Sequence, residues 1–313
     1  MLNEILDPKV SIVIVCMNNL NNLIPCLDSI NKFTRISHDI WVNAYMFSYE
    51  NLEIAQKKYP YVHWIVNNKI AGFSENNNMI LSKLNSEYVL VLNDDTEFKE
   101  PVLDELVNSF EKTKDATIMS PHLFYGDGNT QMCGRPSYNW FEFLLYVSGI
   151  YNPEKKKSIY TYQKGIFQTY NISGAAFLIK TKIFKDLGFF DDYYFFTPED
   201  IALSTLVNKL QGKCFVDADI HLTHYAQQTS SRVKEATLPA ARKGGIHFHS
   251  SNNRVLYYLL ALSIFFLCIL KSIYCFIRND IIGMRAQWHC VETILSSMSP
   301  KEIFTLYYNR LNK

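Results

Sequence analysis

Residues 89–96 read VLVLNDDT, an apolar run that stops abruptly at Asn93, Asp94 and Asp95. The run begins at Tyr88 and has the length and residue types of a strand buried on both faces of a sheet. Unpaired carboxylates are too costly to bury in such an interior, so both acids are expected at the carboxyl end of the strand. Open α/β sheets bind ligands at this edge. We therefore predict a divalent cation here that holds a phosphorylated substrate, with a turn carrying two solvated acids as the alternative.

Strands and helices alternate along the first third of the chain. Apolar, β-branched runs predict strands at residues 10–17, 40–47 and 61–66, and apolar residues at helical spacing predict helices at 22–33, 51–58 and 101–112. This alternation is typical of a mostly parallel sheet covered by helices. The sequence therefore predicts an α/β fold with residues 88–92 as one of its inner strands.

The polar stretch before the 88–92 strand, NNKIAGFSENNN at residues 67–78, is rich in asparagine around the single Gly72. An asparagine-rich loop with a helix cap is a sufficient explanation of this composition. The functional interpretation is a loop that reaches toward a polar ligand. In either case we expect Asn78 to open a helix that ends near Asn85.

A second concentration of acids, FFDDYYFFTPED, occupies residues 189–200. Glu199 and Asp200 precede a helix predicted at 201–211 and fall in its first turn, where acids are also favoured by the helix dipole alone. Upstream, Gly174 lies among small residues of an apolar stretch at 170–180, which lets another group approach the backbone. A short helix is expected at 183–187 and a strand at 213–216, whereas the charged run at 154–157 predicts a solvated loop.

Composition excludes some classes of protein. Of the 313 residues 48% are hydrophobic, enough for a sizeable core, and the formal net charge of +1 argues against nucleic acid as the main partner. The seven cysteines show no C-x-x-C pair, and the N-terminus lacks the pattern of a secretory signal. We expect free thiols in a reducing compartment. His221 and His224 alone make a weak zinc site, because no Cys or further His stands at ligand spacing.

The C-terminal part differs from the rest. Residues 255–277 are the most apolar stretch, flanked by Arg254 and Arg278, and no acid occurs between Glu235 and Asp280. This pattern predicts a helix lying in a membrane interface, with a spanning helix and a buried core helix as alternatives. We divide the chain into residues 1–232 and a membrane-associating helical extension, 233–313. Arg242, Lys243 and Arg254 are candidates to meet the diphosphate of a lipid-linked acceptor.

Three blocks together resemble a known family. They are the strand ending at Asn18, the motifs G-F-S-x-x-x-N and L-N-x-D-T at residues 72–78 and 92–96, and S-G-A-A-F-L-I followed by G-F-F-D-D-x-Y-F-F-x-x-E-D at 173–200, with a histidine at 224. Over residues 9 to 232 the chain resembles the inverting glycosyltransferases of family 2, which have the GT-A fold. It is most similar to their rhamnosyltransferase-like branch, which builds bacterial surface polysaccharides such as O-antigen and capsule.

The resemblance implies roles for particular residues. Asp95 would bind Mg²⁺ or Mn²⁺ together with His224, Asp200 would be the general base, and a neighbouring Glu199 would raise its basicity. The remaining positions implied for the nucleotide or donor are Asn18, Asn43, Gly72, Asn78, Asn93, Asp94 and Gly174. Two departures stand out: Asn43 replaces a nucleoside-binding Asp, and Ala202 and Val207 replace an Asp and an Arg after the Glu-Asp pair.

The implied reaction is metal-dependent transfer of a sugar, foremost L-rhamnose from dTDP-β-L-rhamnose, to a lipid-linked saccharide at the cytoplasmic face of the bacterial inner membrane. UDP-hexoses are alternative donors, and the oligomeric state stays open. A catalytically idle member that binds saccharides or scaffolds a complex is the alternative function. A nucleotidyltransferase would need a glycine-rich loop after the first strand, which residues 18–20 do not provide.

Overall fold

The computed structural model describes residues 8–137, 139–151, 164–226 and 233–311. The strands are β1 (Val10–Met17), β2 (His38–Tyr45), β3 (His63–Asn67), β4 (Tyr88–Asn93), β5 (Thr96–Phe98), β6 (Ala116–Phe124), β7 (Gly134–Arg135), β8 (Ile166–Thr169), β9 (Asn171–Ile172), β10 (Ala176–Lys180) and β11 (Lys213–His224). The helices are α1 (Leu20–Phe33), α2 (Tyr49–Lys58), α3 (Phe73–Leu81), α4 (Val102–Lys112), α5 (Trp140–Ser148), α6 (Thr181–Asp186), α7 (Glu199–Lys209), α8 (Lys234–Ser250), α9 (Arg254–Ile277), α10 (Ile281–Thr293) and α11 (Pro300–Leu311).

Nine strands form one sheet in the order β3-β2-β1-β4-β10-β6-β11-β5, and β8 pairs with β11. The first four strands in this order are parallel, whereas β10 is antiparallel to both of its neighbours. The carboxyl end of β4 therefore meets the amino end of β10. The mostly parallel α/β architecture predicted from the sequence is confirmed.

Strand β4 is buried on both faces. Val89 and Val91 pack into one apolar cluster, and Leu90 and Leu92 pack into the cluster on the other side. This alternation follows from the two-residue repeat of a strand, and it explains why the sequence of β4 shows an unbroken apolar run.

Most predicted elements agree with the structure, but three differ. Helix α3 begins at Phe73 rather than at Asn78, so the expectation for Asn78 was wrong. The stretch 170–180 is broken into β9 and β10, with a turn that contains Gly174 between them. Strand β11 runs on to His224, well past the predicted 213–216. The loop predicted at 154–157 lies outside the described residues.

Helices α8 to α11 form the C-terminal part, and α9 packs against α5, α8 and α10. Within the described ranges, α9 is the one helix long and apolar enough to cross a membrane, with a mean hydropathy of 2.3. The boundary predicted at residue 232 falls in the stretch between 226 and 233, outside the described residues, and stays a prediction.

Candidate active site

The acidic segment after β4 forms a tight turn into β5. The Thr96 hydroxyl donates to the carbonyl oxygen of Asn93 over 2.8 Å and closes this turn. The carbonyl oxygen of Asp95 accepts from the backbone N–H of Tyr225 over 2.9 Å, just beyond the end of β11. The turn is thereby fixed to the strand end that carries His224.

Asp95 and His224 face each other at this edge of the sheet. The Nε2 atom of His224 lies 3.2 Å from Oδ1 of Asp95 and 3.4 Å from Nδ2 of Asn93. Both side chains are largely buried, so solvent screens an interaction between them weakly. The structure thus brings together three of the residues implied by the sequence.

Gln131 holds the imidazole of His224 in one orientation. Its Nε2 donates to the backbone carbonyl of His224 over 2.6 Å, which turns its Oε1 toward His224 Nδ1 at 2.9 Å. An oxygen can only accept, so Nδ1 carries a proton toward Gln131, and the ring is oriented with its Nε2 toward Asp95. Gln131 was missed at the sequence level, because the irregular segment that carries it has no periodic pattern.

This arrangement suits a small divalent cation. An imidazole lone pair and a carboxylate oxygen are both acceptors, and they are stable at this distance when a cation or a proton lies between them. Mg²⁺ takes few protein ligands and completes its shell with phosphate oxygens and water. Among the described residues no group of three or more His, Cys, Asp or Glu side chains is positioned to hold a metal, so the protein would supply Asp95 and His224.

Asp94 points away from this pair into the interior. Burial raises the pKa of Asp94 to about 7, and the charge of Asp95 contributes to the rise. Its nearest polar groups include the buried Cys16 thiol, and its Oδ2 has no hydrogen-bond partner in the structure. Asp94 therefore lies behind the site rather than in it.

The Asp200 carboxylate is held by two backbone N–H groups. Gly174 N–H donates to Oδ2 over 3.1 Å, and Ile201 N–H donates to Oδ1 over 2.8 Å. A Cβ on residue 174 would come within 3.3 Å of Asp200 Cβ, so the absence of a side chain at Gly174 permits this approach. Both N–H groups fix the orientation of the carboxylate.

A single backbone hydrogen bond links the two acidic centres. Asn93 N–H donates to the carbonyl oxygen of Ala175 over 2.9 Å, where β4 and β10 meet. Ala175 follows Gly174, whose N–H binds Asp200, and Asn93 contacts His224. Residues far apart in the sequence are thus gathered at one edge of the sheet.

Glu199 is buried beside Asp200. Burial raises the pKa of Glu199 well above its ordinary range, and the charge of Asp200 raises it further. Its Oε2 has no hydrogen-bond partner in the structure. Burial therefore favours the neutral form of Glu199, and the side chain lies below the site surface.

Packing accommodates Ala202 and Val207, the two residues that depart from the pattern of the family. Val207 is buried in the apolar cluster beneath the sheet, together with Leu203 of the same helix. Ala202 lies on the opposite side of α7 from this cluster and lines a cavity. The missing pair of charged side chains is thus replaced by apolar contact at position 207 and by open space at position 202.

Asn18 lies at the end of β1, in the left-handed region with a φ of 46°. Its Oδ1 accepts from Ser48 N–H over 3.1 Å and from Asn51 Nδ2 over 2.9 Å. Asn18 therefore fixes the start of α2 to the carboxyl end of the sheet, the edge at which it was expected.

Three predicted donor-binding residues have structural contacts instead. Asn43 is fully buried, and its Nδ2 donates to the backbone carbonyl oxygen of Asn76 over 2.9 Å, so its contact with a nucleoside stays a prediction. Asn78 lies inside α3 and donates to the Phe190 carbonyl oxygen over 2.9 Å. Gly72 packs so closely that a Cβ would come within 2.3 Å of the Phe195 carbonyl oxygen.

These contacts give Asn78 and Gly72 another role. Both fasten the N-terminal part of α3 to residues 189–200, the segment that leads to Asp200. Asn78 Oδ1 also accepts from Phe190 N–H over 3.2 Å. They position the acidic segment, and their contact with a donor stays a prediction.

Two clefts lie away from these acids. One of about 490 Å³ is lined by His221 and Glu100, whose Nδ1 and Oε1 are 3.9 Å apart, so the structure separates His221 from the Asp95 and His224 pair. The other, of about 1030 Å³, lies between α5, α7 and the end of α8. Neither Asp95 nor Asp200 lines it, although Ile201 does.

Comparison with known proteins agrees with the sequence resemblance. The model of the family described as glycosyl transferase family 2 matches residues 11–188, more than half of the chain. This range contains Asn93, Asp95 and Gly174, whereas Asp200 and His224 lie beyond it. No curated protein sequence matches the chain.

Solved structures share the fold. The chain is similar to the crystal structure of GalNAc-T7 with UDP, GalNAc and Mn²⁺, with a TM-score of 0.56 and 18% identity, over 69% of this chain and 43% of that one. The chain thus spans less than half the length of that protein, and this identity supports a common fold. The expected GT-A fold is confirmed. Because 532 chains of solved structures match, the fold by itself does not select a substrate.

Proposed function

Because the chain belongs to glycosyl transferase family 2, we propose that it transfers a sugar from a nucleoside diphosphate donor to an acceptor hydroxyl with inversion at the anomeric carbon. One observation carries the proposal: the Asn93–Ala175 hydrogen bond joins a cation-binding pair, Asp95 and His224, to an oriented carboxylate, Asp200. A transferase of this kind needs one group for the departing diphosphate and another for the incoming hydroxyl.

Asp200 takes the proton from the acceptor. Two backbone N–H groups occupy one lone pair on each of its oxygens and leave the others free to accept from a sugar hydroxyl. As this hydroxyl oxygen attacks the anomeric carbon, its proton passes to Asp200 and the bond to the nucleoside diphosphate breaks on the opposite face. The single displacement inverts the configuration.

Asp95 and His224 hold Mg²⁺ or Mn²⁺ at the diphosphate. A cation held there would supply Lewis-acid stabilisation of the charge on the departing diphosphate. Gln131 keeps Nε2 of His224 available for it, and Asn93 lies beside the same atom. A solved structure of similar fold contains Mn²⁺ together with UDP, which supports this assignment of the metal.

The donor that we propose first is dTDP-β-L-rhamnose, on the resemblance of residues 173–200 to the rhamnosyltransferase-like branch. UDP-hexoses are the second candidates, supported by the UDP in the structure of similar fold. Asn43, which stands where the family usually has a nucleoside-binding Asp, is buried and does not help to choose between these nucleosides. Asn18 stays the proposed neighbour of the nucleotide base.

The acceptor that we propose is a lipid-linked saccharide at the cytoplasmic face of a bacterial inner membrane, in the synthesis of a surface polysaccharide. The exposed apolar side chains of α9 support this location. Lys243 does not meet a lipid diphosphate, because its Nζ is buried and donates to the carbonyl oxygens of Ile294 and Ser296 over 3.1 and 2.6 Å. That expectation was wrong.

The test is incubation of the full chain with dTDP-rhamnose, UDP-glucose, UDP-galactose and UDP-GalNAc, each with Mn²⁺ or Mg²⁺ and each with EDTA. We expect one donor to release its nucleoside diphosphate in the presence of the metal only, and the rate to rise when a saccharide acceptor is added. Absence of turnover with a broad set of nucleotide sugars, while the folded chain still binds saccharide, would favour the catalytically idle function.

A further inference from the structure

Helix α9 has two unlike faces. Leu260, Ile264 and Cys268 are buried against neighbouring helices and recur at intervals of four residues. On the opposite side, large apolar side chains are exposed to solvent at intervals of three and four residues: Val255, Leu259, Leu262, Phe266, Leu270 and Ile273. These spacings place each set on one side of a helix with 3.6 residues per turn. We call the exposed set the apolar face of α9.

The apolar face is large for a soluble surface. Phe266 and Leu270 are 60% and 64% exposed, and the face continues along a helix of 24 residues. Neighbouring helices add exposed apolar side chains, with Phe141 on α5 and Trp288 on α10. Contiguous apolar surface of this extent marks an interaction site.

We propose that the apolar face of α9 docks flat on a lipid bilayer, with the helix axis in the plane of the membrane interface. This proposal rests on the proposed lipid-linked acceptor and extends it. It does not require the chain to be catalytically active. It assigns the partner as an anionic lipid surface.

Charge at the ends of α9 fits this partner. Arg254 and Arg278 flank the helix and both are exposed, as is Arg285 on α10. No acid occurs in the sequence between Glu235 and Asp280. Cations bordering an apolar face are attracted to anionic headgroups while the apolar side chains enter the acyl boundary. A two-fold pairing of the same helix in a dimer would instead bring the cationic ends toward each other.

The inner side of α9 argues against a spanning orientation. Ser272 on α9 donates to the Met284 carbonyl oxygen over 3.1 Å, and the buried Lys243 of α8 lies 5.6 Å from the ring of Tyr257 on α9. A spanning α9 would carry these partners and the charges of α8 into hydrocarbon, where they are costly. An in-plane helix leaves them in the protein interior.

The first turn of α9 lines the same cleft as the helix that carries Asp200. Leu256, in the first turn of α9, lines the cleft of about 1030 Å³ that is also lined by Ile201, the neighbour of Asp200. An acceptor whose lipid tail stays in the membrane would therefore reach α7 from the side on which α9 begins.

Flotation of the full chain with phosphatidylcholine vesicles, with and without phosphatidylglycerol, tests the proposal. We expect binding that is stronger when phosphatidylglycerol is present, and we expect Leu262→Gln, Phe266→Gln and Leu270→Gln together to lower the partition coefficient by on the order of a hundredfold. The matched control replaces Ile54, Val66 and Leu210, which are exposed on other elements, with Gln. It should float like the wild type.

Nucleotide-sugar turnover in detergent-free solution, measured on the same variants, separates this proposal from the proposed function, because loss of docking should leave soluble turnover unchanged. Undiminished flotation of the α9 variant, or no flotation of the wild type with either vesicle, would overturn the docking proposal. The same conclusion follows if light scattering shows a dimer that only the α9 variant disrupts and the wild type does not float.

Protease treatment of sealed vesicles tests the orientation. If α9 docks in the plane of one membrane surface, epitope tags at both ends of the chain stay accessible to protease added outside the vesicles. Protection of either tag would show that the chain spans the bilayer and would contradict an in-plane helix.

Discussion

His224 Nε2 and Asp95 Oδ1 face each other at 3.2 Å, with the opposite ring nitrogen of His224 bound to Gln131. In the proposed function, a cation held by His224 and Asp95 would complete its shell with phosphate oxygens of the donor and with water. We therefore expect the metal to bind weakly when no nucleotide is present.

Asp95→Asn should remove metal-dependent donor binding. The amide keeps the shape of the side chain but loses the charge that a hard cation prefers. We expect the rise in melting temperature produced by nucleoside diphosphate plus Mn²⁺ to disappear, and turnover to fall by at least about a hundredfold.

Asp94→Asn is the matched control for Asp95→Asn. Asp94 is buried behind the turn near Cys16, so its replacement should retain a substantial metal-dependent rise in melting temperature. If Asp94→Asn abolishes the rise and Asp95→Asn keeps it, the two acids have been assigned the wrong way round.

Gln131→Met should weaken metal binding without touching a metal ligand. Methionine fills similar space but offers Nδ1 of His224 no strong acceptor, so the imidazole loses its fixed tautomer. We expect Mn²⁺ affinity in the presence of nucleoside diphosphate to fall roughly tenfold to a hundredfold, measured by titration calorimetry.

Gln131→Glu keeps an oxygen opposite Nδ1 but loses the N–H that donates to the His224 carbonyl oxygen, so it should retain more affinity for Mn²⁺ than Gln131→Met and less than the wild type. Equal affinity in the wild type and in Gln131→Met would show that Gln131 does not position His224.

Gly174→Ala should slow the reaction while donor binding persists. The new methyl group would come within 3.3 Å of Asp200 Cβ and displace the carboxylate by a few tenths of an ångström. Small misplacements of a catalytic group are costly, and we expect kcat to fall about tenfold to a hundredfold with little change in donor KM.

Gly128→Ala provides the comparison for Gly174→Ala. Gly128 has a φ of +85° and no other group within 4 Å of a Cβ, so its replacement strains the backbone far from Asp200. It should lower the melting temperature and leave kcat unchanged. A parallel loss of kcat in both variants would show that lost stability accounts for the effect at Gly174.

The raised pKa of Glu199 predicts the direction in which the stability of the protein changes with pH. Its pKa is raised in the folded chain, so the folded state binds a proton that the unfolded state releases above the ordinary value near 4.5. The stability of the wild type relative to Glu199→Gln should therefore fall as pH rises above that value, by up to about 1.4 kcal/mol per pH unit. Denaturant unfolding of the two proteins over a series of pH values measures this difference, and a constant or rising difference would contradict the buried neutral acid.

Much of the fold could be predicted from local pattern. The apolar runs of β1 and β4 are buried on both faces, and such strands leave a clear signal in the sequence. The antiparallel insertion of β10 beside β4 could not be predicted, because strand order depends on long-range packing that no local pattern records. That insertion is what brings Ala175 next to Asn93.

Site residues could be predicted where their chemical type marks them in the sequence. They could not be predicted where the register of a strand or helix decides which way a side chain points. Asp95, His224 and Asp200 could be picked out of the sequence by residue type. Asn43, in contrast, lies two residues before the end of β2, and its side chain turns inward. Asn78 was placed at a helix start because asparagine favours caps, but tertiary contacts with Phe190 hold it inside α3. Gln131 acts through His224 and carries no motif.

Replacement of Asp200 by Asn tests the central claim most directly. The amide cannot take the proton from the hydroxyl of the acceptor sugar. It can still accept one of the two backbone hydrogen bonds, so the fold and the metal site should persist. The account predicts that sugar transfer falls by at least about a hundredfold while nucleoside diphosphate with Mn²⁺ still raises the melting temperature as in the wild type. Transfer at an undiminished rate by Asp200→Asn would contradict it.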